Sequence, residues 1–135
     1  MSSTVKLAPE AGGESLARQW LEEAQETGVT DTFTRRHRDP RTSWHVHLEV
    51  HVLSEGRCTA THYATSCDIA AGGIGFRCRE PIPLYTPIRI CRAGEMTGLS
   101  AVTVDCTPGL TGYTIGARFE FDQPAAAVMR MTKAG

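Results

Sequence analysis

Four arginines crowd into seven residues, Arg35-Arg36-His37-Arg38-Asp39-Pro40-Arg41. A guanidinium is always charged and presents a planar fork of donors, so a cluster of them is chemistry for holding anions. The surrounding charge makes the cluster sharper than the net value of -1 suggests. Residues 1 to 34 carry two basic and six acidic side chains, while 35 to 41 sum to +3. The rest balances at eight against eight. A protein that coats nucleic acid needs phosphate contacts spread over a face, because each neutralised phosphate supplies only part of the affinity. One compact cluster suits a small polyanion better, and no direct nucleic-acid binding is expected.

A second constellation lies downstream, in Asp68-Ile69-Ala70-Ala71-Gly72-Gly73-Ile74-Gly75-Phe76. Its glycines nearly spell a dinucleotide fingerprint, but that motif needs a third glycine and a helix starting there. Here Ile74, Phe76 and Cys78 alternate as a strand does, and no Gly-Lys-Ser/Thr follows to make a phosphate loop. The expected structure is a tight turn between two strands, with Gly72 or Gly73 at positive φ.

Catalytic and metal chemistry have weaker candidates. His45, His47 and His51 share a strand face with Glu49, but the outer two histidines would stand roughly 20 Å apart along one strand, awkward for a single ion. Cys67, His62 and Asp68 supply the residue types of a nucleophilic site, yet the Asp68 charge beside Cys67 would oppose thiolate formation. No G-x-S-x-G, H-E-x-x-H or paired-carboxylate motif appears. The five cysteines, Cys58, Cys67, Cys78, Cys91 and Cys106, are spaced by 9, 11, 13 and 15 residues, not as zinc ligands are. An odd count fits reduced thiols, most of them packed as small apolar side chains. The expectation is a protein that is not an enzyme and holds no metal or cofactor.

The elements that must position the two constellations follow from periodicity. Residues 1–13 form a tail. In 14–28, Leu16, Ala17, Trp20, Leu21 and Ala24 share one helical face and Gly28 supplies a stop, predicting an amphipathic helix that packs on its own domain. Residues 29–42 form a linker holding the arginines. From Trp44 to Val52 the period becomes two, with Trp44, Val46, Leu48, Val50 and Val52 on one face. Further strand-like runs cover 57–69, 73–79, 87–91, 99–106 and 113–121, separated by Gly, Pro and Glu clusters. Six short strands predict an all-β barrel or sandwich over 43–123. The end, PAAAVMRMTKAG at 124–135, has the composition of a short helix. With 135 residues and 41% hydrophobic content the chain makes one domain large enough to need no disulfide or metal for stability. No apolar run approaches the ~20 residues of a membrane span, and the start lacks a signal-peptide stretch, so a cytoplasmic protein without membrane insertion is expected.

An arginine cluster ahead of the first strand, a strand ending in Asp68-Ile69-Ala70-Ala71-Gly72-Gly73, and a closing Tyr113-Thr114-Ile115-Gly116-Ala117-Arg118-Phe119 together resemble the PilZ family of bacterial cyclic di-GMP receptors. The resemblance spans about Thr34 to Asp122. It implies a six-stranded antiparallel β-barrel that binds cyclic di-GMP through an R-x-x-x-R motif before the first strand and a D/N-x-S-x-x-G motif on the barrel surface. Asp68 matches the acidic or amide position and Gly73 the glycine, while Ala70 stands where the family has serine, a loss of one hydrogen bond worth about 1 kcal/mol. Arg36 and Arg41 are five residues apart rather than four, and Arg38 and Arg41 are three apart; His37 and Arg41 alone keep the family spacing. The implied ligand residues are Arg35, Arg36, Arg38, Arg41, Asp68, Ala70 and Gly73, with Arg36 and Arg41 foremost. The chemistry is apt: guanine O6 and N7 accept a guanidinium fork, the phosphodiesters bring two charges, and the planar cation can stack on the purine. Ligand would neutralise the +3 segment, fold it against the 68–73 turn and reposition the acidic helix ahead of it, passing a second-messenger signal to a protein partner. The competing reading is a degenerate barrel that binds no nucleotide and serves as a protein-interaction module through the Trp20 helix or a barrel face.

Overall fold

The computed structural model describes residues 13–28, 30–31 and 40–121. Helix α1 (Gly13–Thr27) is followed by β1 (Thr30–Asp31), β2 (Arg41–Ser43), β3 (His47–Ser54), β4 (Arg57–Ala70), β5 (Gly73–Cys78), β6 (Pro87–Arg92), β7 (Gly98–Pro108) and β8 (Tyr113–Phe119). The expected C-terminal helix at 124–135 lies outside the described residues.

Strands β3 to β8 close on themselves: β4 pairs with β3 and β5, β3 with β6, β6 with β7, β7 with β8, and β8 with β5, every pair antiparallel. The chain is a closed six-stranded barrel, as the six strand-like runs predict. Closure gives each of these strands a neighbour on both sides, and alternation sends one face of each strand inward. Val50, Ile69, Ile74, Phe76, Ile88, Ile90 and Ile115 are completely buried, each worth about 1.5 to 3 kcal/mol of burial.

Helix α1 buries Ala17, Trp20 and Ala24 against the barrel, so its apolar stripe is covered at home. Trp20 packs on Trp44 with ring centroids 5.6 Å apart, and Arg92 lies over the same Trp44 ring while its guanidinium meets Glu23 at 2.7 Å. The helix stops at Gly28, whose N–H donates to the Ala24 carbonyl and whose missing side chain would collide with the Ser43 carbonyl. Among the described residues no helix is long and apolar enough to cross a membrane.

Two expectations need correction. The run Trp44 to Val52 is not one strand: β2 ends at Ser43 and β3 begins at His47. Between them the buried Ser66 hydroxyl substitutes for ladder bonds, donating to the Trp44 carbonyl at 2.6 Å and accepting from the Val46 N–H at 2.9 Å. Gly72 and Gly73 are not left-handed either. Left-handed turn residues occur elsewhere, at Tyr85 (φ 62°), at Gly94 (φ 86°), and at Glu55 (φ 54°) and Gly56 (φ 80°) between β3 and β4, the last two being the central positions of a primed hairpin turn.

One irregularity positions the site. In β4, Ser66 faces Phe76 of β5 but the next pair is Asp68 with Gly75, so Cys67 is an extra residue bulged from the ladder. Ser66 and Ile69 both face inward, which only an extra residue between them allows. The bulge therefore turns Asp68 outward.

Candidate functional site

Short strand β2 lies on β4 outside the closed wall, with Ser43 opposite Asp68 and Thr42 opposite Ile69. That pairing brings the end of the arginine cluster to the second constellation. Arg41 Nε and Nη2 both donate to Asp68 Oδ1, at 3.1 and 2.7 Å. The carboxylate takes two of the guanidinium's five N–H donors and fixes the plane of the fork. The pair is part-exposed, with 19% of the Arg41 side chain and 38% of Asp68 accessible. At such exposure an ion pair contributes about 0 to 1 kcal/mol, so its consequence is positional more than energetic.

The pair lies over Gly75. A β-carbon at that position would stand 2.7 Å from Asp68 Oδ1 and 3.7 Å from Arg41 Nη2, so glycine is what admits the two side chains. Gly75, buried beneath that pair, faces Gly116 of β8, and the Asp105 Cβ of β7 stands 3.4 Å from where a Gly116 β-carbon would be, so this glycine strip lies between two aspartates. Arg118 sits opposite Gly73 at one end of this strip, paired with Glu120 at 3.2 Å, and Arg77 stands two residues along β5 at the other. Both arginines are exposed. Beyond Arg77 the wall carries a groove of about 410 Å³ lined by His47, Tyr63, Thr65, Arg77, Arg79 and Thr111. An anion-bearing molecule meets here a fixed guanidinium and further cations along the same face.

The structure thus joins Arg41 and Asp68, which lie 27 residues apart in the chain. Gly73 pairs with Ala70 across the hairpin; its missing β-carbon would stand 2.5 Å from the Ala117 carbonyl oxygen, so its smallness serves sheet packing. Ala70 is buried, and any ligand contact there is made by its backbone. Arg35, Arg36 and Arg38 lie outside the described residues. Gly75, Gly116, Arg77 and Arg118 are additions that the chain order hides. Alternation of Gly73, Gly75, Arg77 and Arg79 along one strand face is their only sequence signal.

The other candidates are dispersed. Burial pushes the Cys67 thiol above its ordinary range, helped by the Asp68 charge and opposed by the Arg77 guanidinium beside it. His62, five residues away along β4 and so roughly 17 Å off, faces Glu80 at 3.7 Å instead. His45 Nδ1 contacts the Ser66 carbonyl at 3.3 Å, and His51 Nε2 faces Glu49 at 3.6 Å. No group of three or more His, Cys, Asp or Glu among the described residues is placed to hold a metal ion. Comparison with protein-family models gives no match to this chain, and comparison with curated proteins gives none.

Proposed function

We propose that this chain is a PilZ-like, non-enzymatic cytoplasmic receptor for cyclic di-GMP that passes the bound state to a protein partner. The observation that carries the reading is the Arg41–Asp68 pair laid over Gly75 on the outer wall, the same two residues that the family's ligand motifs single out. In this reading Arg41 meets a guanine edge or a phosphodiester while Asp68 holds its fork in plane. Arg35, Arg36 and Arg38 supply further cations. A bidentate arginine contact to guanine contributes about 1 to 3 kcal/mol, so two in register suffice for micromolar binding when stacking and charge are added.

The route to a partner follows from packing. Gly28, at the end of α1, abuts the Ser43 carbonyl, two residues from Arg41. A ligand that draws Arg41 toward itself therefore pulls on the strand against which the helix ends. The competing protein-interaction reading loses the Trp20 surface, because Trp20 is 2% exposed.

Isothermal titration with cyclic di-GMP tests the proposal, with Arg36→Ala and Arg41→Ala variants alongside and GTP as the control. Micromolar binding that both variants weaken at least tenfold, about 1.4 kcal/mol each, is expected. Absence of heat at hundred-micromolar ligand overturns it.

A further inference from the structure

Away from the glycine strip, the β3–β4 hairpin gathers a thiol, an imidazole and a carboxylate. Cys58 is exposed, and its Sγ lies 3.7 Å from His51 Nδ1. The Thr61 hydroxyl sits between them, 3.1 Å from His51 Nδ1 and 3.7 Å from Cys58 Sγ. On the far side of the ring His51 Nε2 faces Glu49 Oε1 at 3.6 Å. Chain order gives no hint of this grouping. It arises because His51 pairs with Thr61 across the hairpin, and the register shift after Val52 sets Cys58 opposite Leu53 on the neighbouring strand.

The Glu49 charge beside Nε2 favours the neutral tautomer that carries its proton there, whose Nδ1 lone pair faces the Thr61 hydroxyl and the thiol. That is the relation of base to nucleophile, with the third group orienting the base. Arg89, opposite His51 on β6, donates from its guanidinium to the Met96 carbonyl at 3.1 Å. The charged and titratable groups around the imidazole are thus Glu49 on its own strand, Cys58 on β4 and Arg89 on β6. In the resting arrangement the thiol donates to the Ala60 carbonyl at 3.4 Å, so its proton must turn toward Nδ1, directly or through Thr61. The other four thiols are less available: Cys78 and Cys91 are buried and Cys67 and Cys106 half-buried.

We propose that Cys58, His51 and Glu49 form a thiol-modification site that exchanges with low-molecular-weight disulfides. His51 takes the Cys58 proton, and the thiolate attacks one sulfur of R–S–S–R. The R–S–S–R bond breaks as a Cys58–S–S–R bond forms. The departing thiolate recovers the proton from His51 and leaves as RSH. Cys58 is oxidised and one half of the disulfide reduced, with no other oxidant needed. The site is independent of nucleotide binding and stands whether or not that reading holds.

The test is the rate at which the native full-length chain releases thiolate from an aromatic disulfide, followed by absorbance across pH 5.5 to 9, with the modified residue located by mass spectrometry. The expected result is one fast thiol per chain, Cys58, reacting about tenfold faster at neutral pH than the same thiols in denaturant, with His51 as its base. Cys58→Ser abolishes the fast phase. His51→Gln slows it to the denatured rate and moves the pH profile upward, with the melting temperature reporting that the barrel stays folded; Glu49→Gln, on the same exposed face, repeats the measurement with a milder change. A fast phase at another cysteine, a Cys58 rate equal to that in denaturant, or a rate unchanged by both His51→Gln and Glu49→Gln overturns the proposal.

Discussion

Gly75→Ala separates the site from the scaffold. The added β-carbon would stand 2.7 Å from Asp68 Oδ1, closer than real side-chain contacts, yet what it meets is the end of a rotatable side chain. Asp68 and Arg41 must shift, and the part-exposed pair loses at most about 1 kcal/mol. Removing a strand glycine returns about 0.5 to 1 kcal/mol, so net stability changes by less than about 1 kcal/mol. Ligand binding should suffer far more. Misplacing the Arg41 fork forfeits one arginine–guanine or arginine–phosphate contact, about 1 to 3 kcal/mol, or roughly 5- to 150-fold in Kd. Gly73→Ala, two residues earlier in the same strand, is the complement: its β-carbon meets the Ala117 carbonyl oxygen at 2.5 Å, and backbone cannot rotate away. That variant should lose about 1 to 3 kcal/mol of stability as overpacked sites do. Chemical denaturation and titration with cyclic di-GMP on both variants complete the assay. Wild-type affinity in Gly75→Ala at unchanged stability would show that the Arg41–Asp68 pair is not where the ligand sits.

Ser66→Ala should destabilise the barrel by about 2 kcal/mol or more in urea denaturation, because the Trp44 carbonyl and Val46 N–H both lose their partner at a buried break between strands; a loss below about 0.5 kcal/mol would mean that backbone relaxation closes the gap. Burial raises the Cys67 and Cys78 thiols above their ordinary range. The folded chain therefore holds protons that the unfolded chain gives up. The stability tied to them is fully present below the unfolded thiol pKa and falls as pH rises through the folded values. The thiol-linked part of the melting temperature should hold up to about pH 8 and decline above it, and the decline should be smaller in a Cys67→Ala, Cys78→Ala double variant; equal slopes would remove these thiols as the cause.

The wall of the barrel was legible because Leu48 and Val50, Ile88 and Ile90, or Ile115 and Ala117 alternate with polar neighbours, and the helix because Ala17, Trp20 and Ala24 recur at its period. Trp44 to Val52 misled for a physical reason: alternation continues through the break, since a side-chain hydroxyl there does the work of a ladder bond. The bulge at Cys67 was readable in principle, as inward positions change from even at Ala64 and Ser66 to odd at Ile69. Within the site, Arg41 and Asp68 announced themselves by type and motif. Gly75 and Gly116 did not, because their meeting depends on β8 pairing with β5 rather than with its sequence neighbour alone.

Closure also limits how anything else can grip this molecule. It does not spend every ladder, because β4 pairs with β3 from Arg57 onward but with β5 only from Ala64, which leaves the 57–63 stretch with one edge to which a partner's strand can be added. Another open ladder is the outer side of β1, two residues long and paired to β2. A macromolecule that recognises the rest of the wall has to read its outward side chains. The specificity of that recognition then resides in surface chemistry, and single exposed substitutions are enough to redirect it.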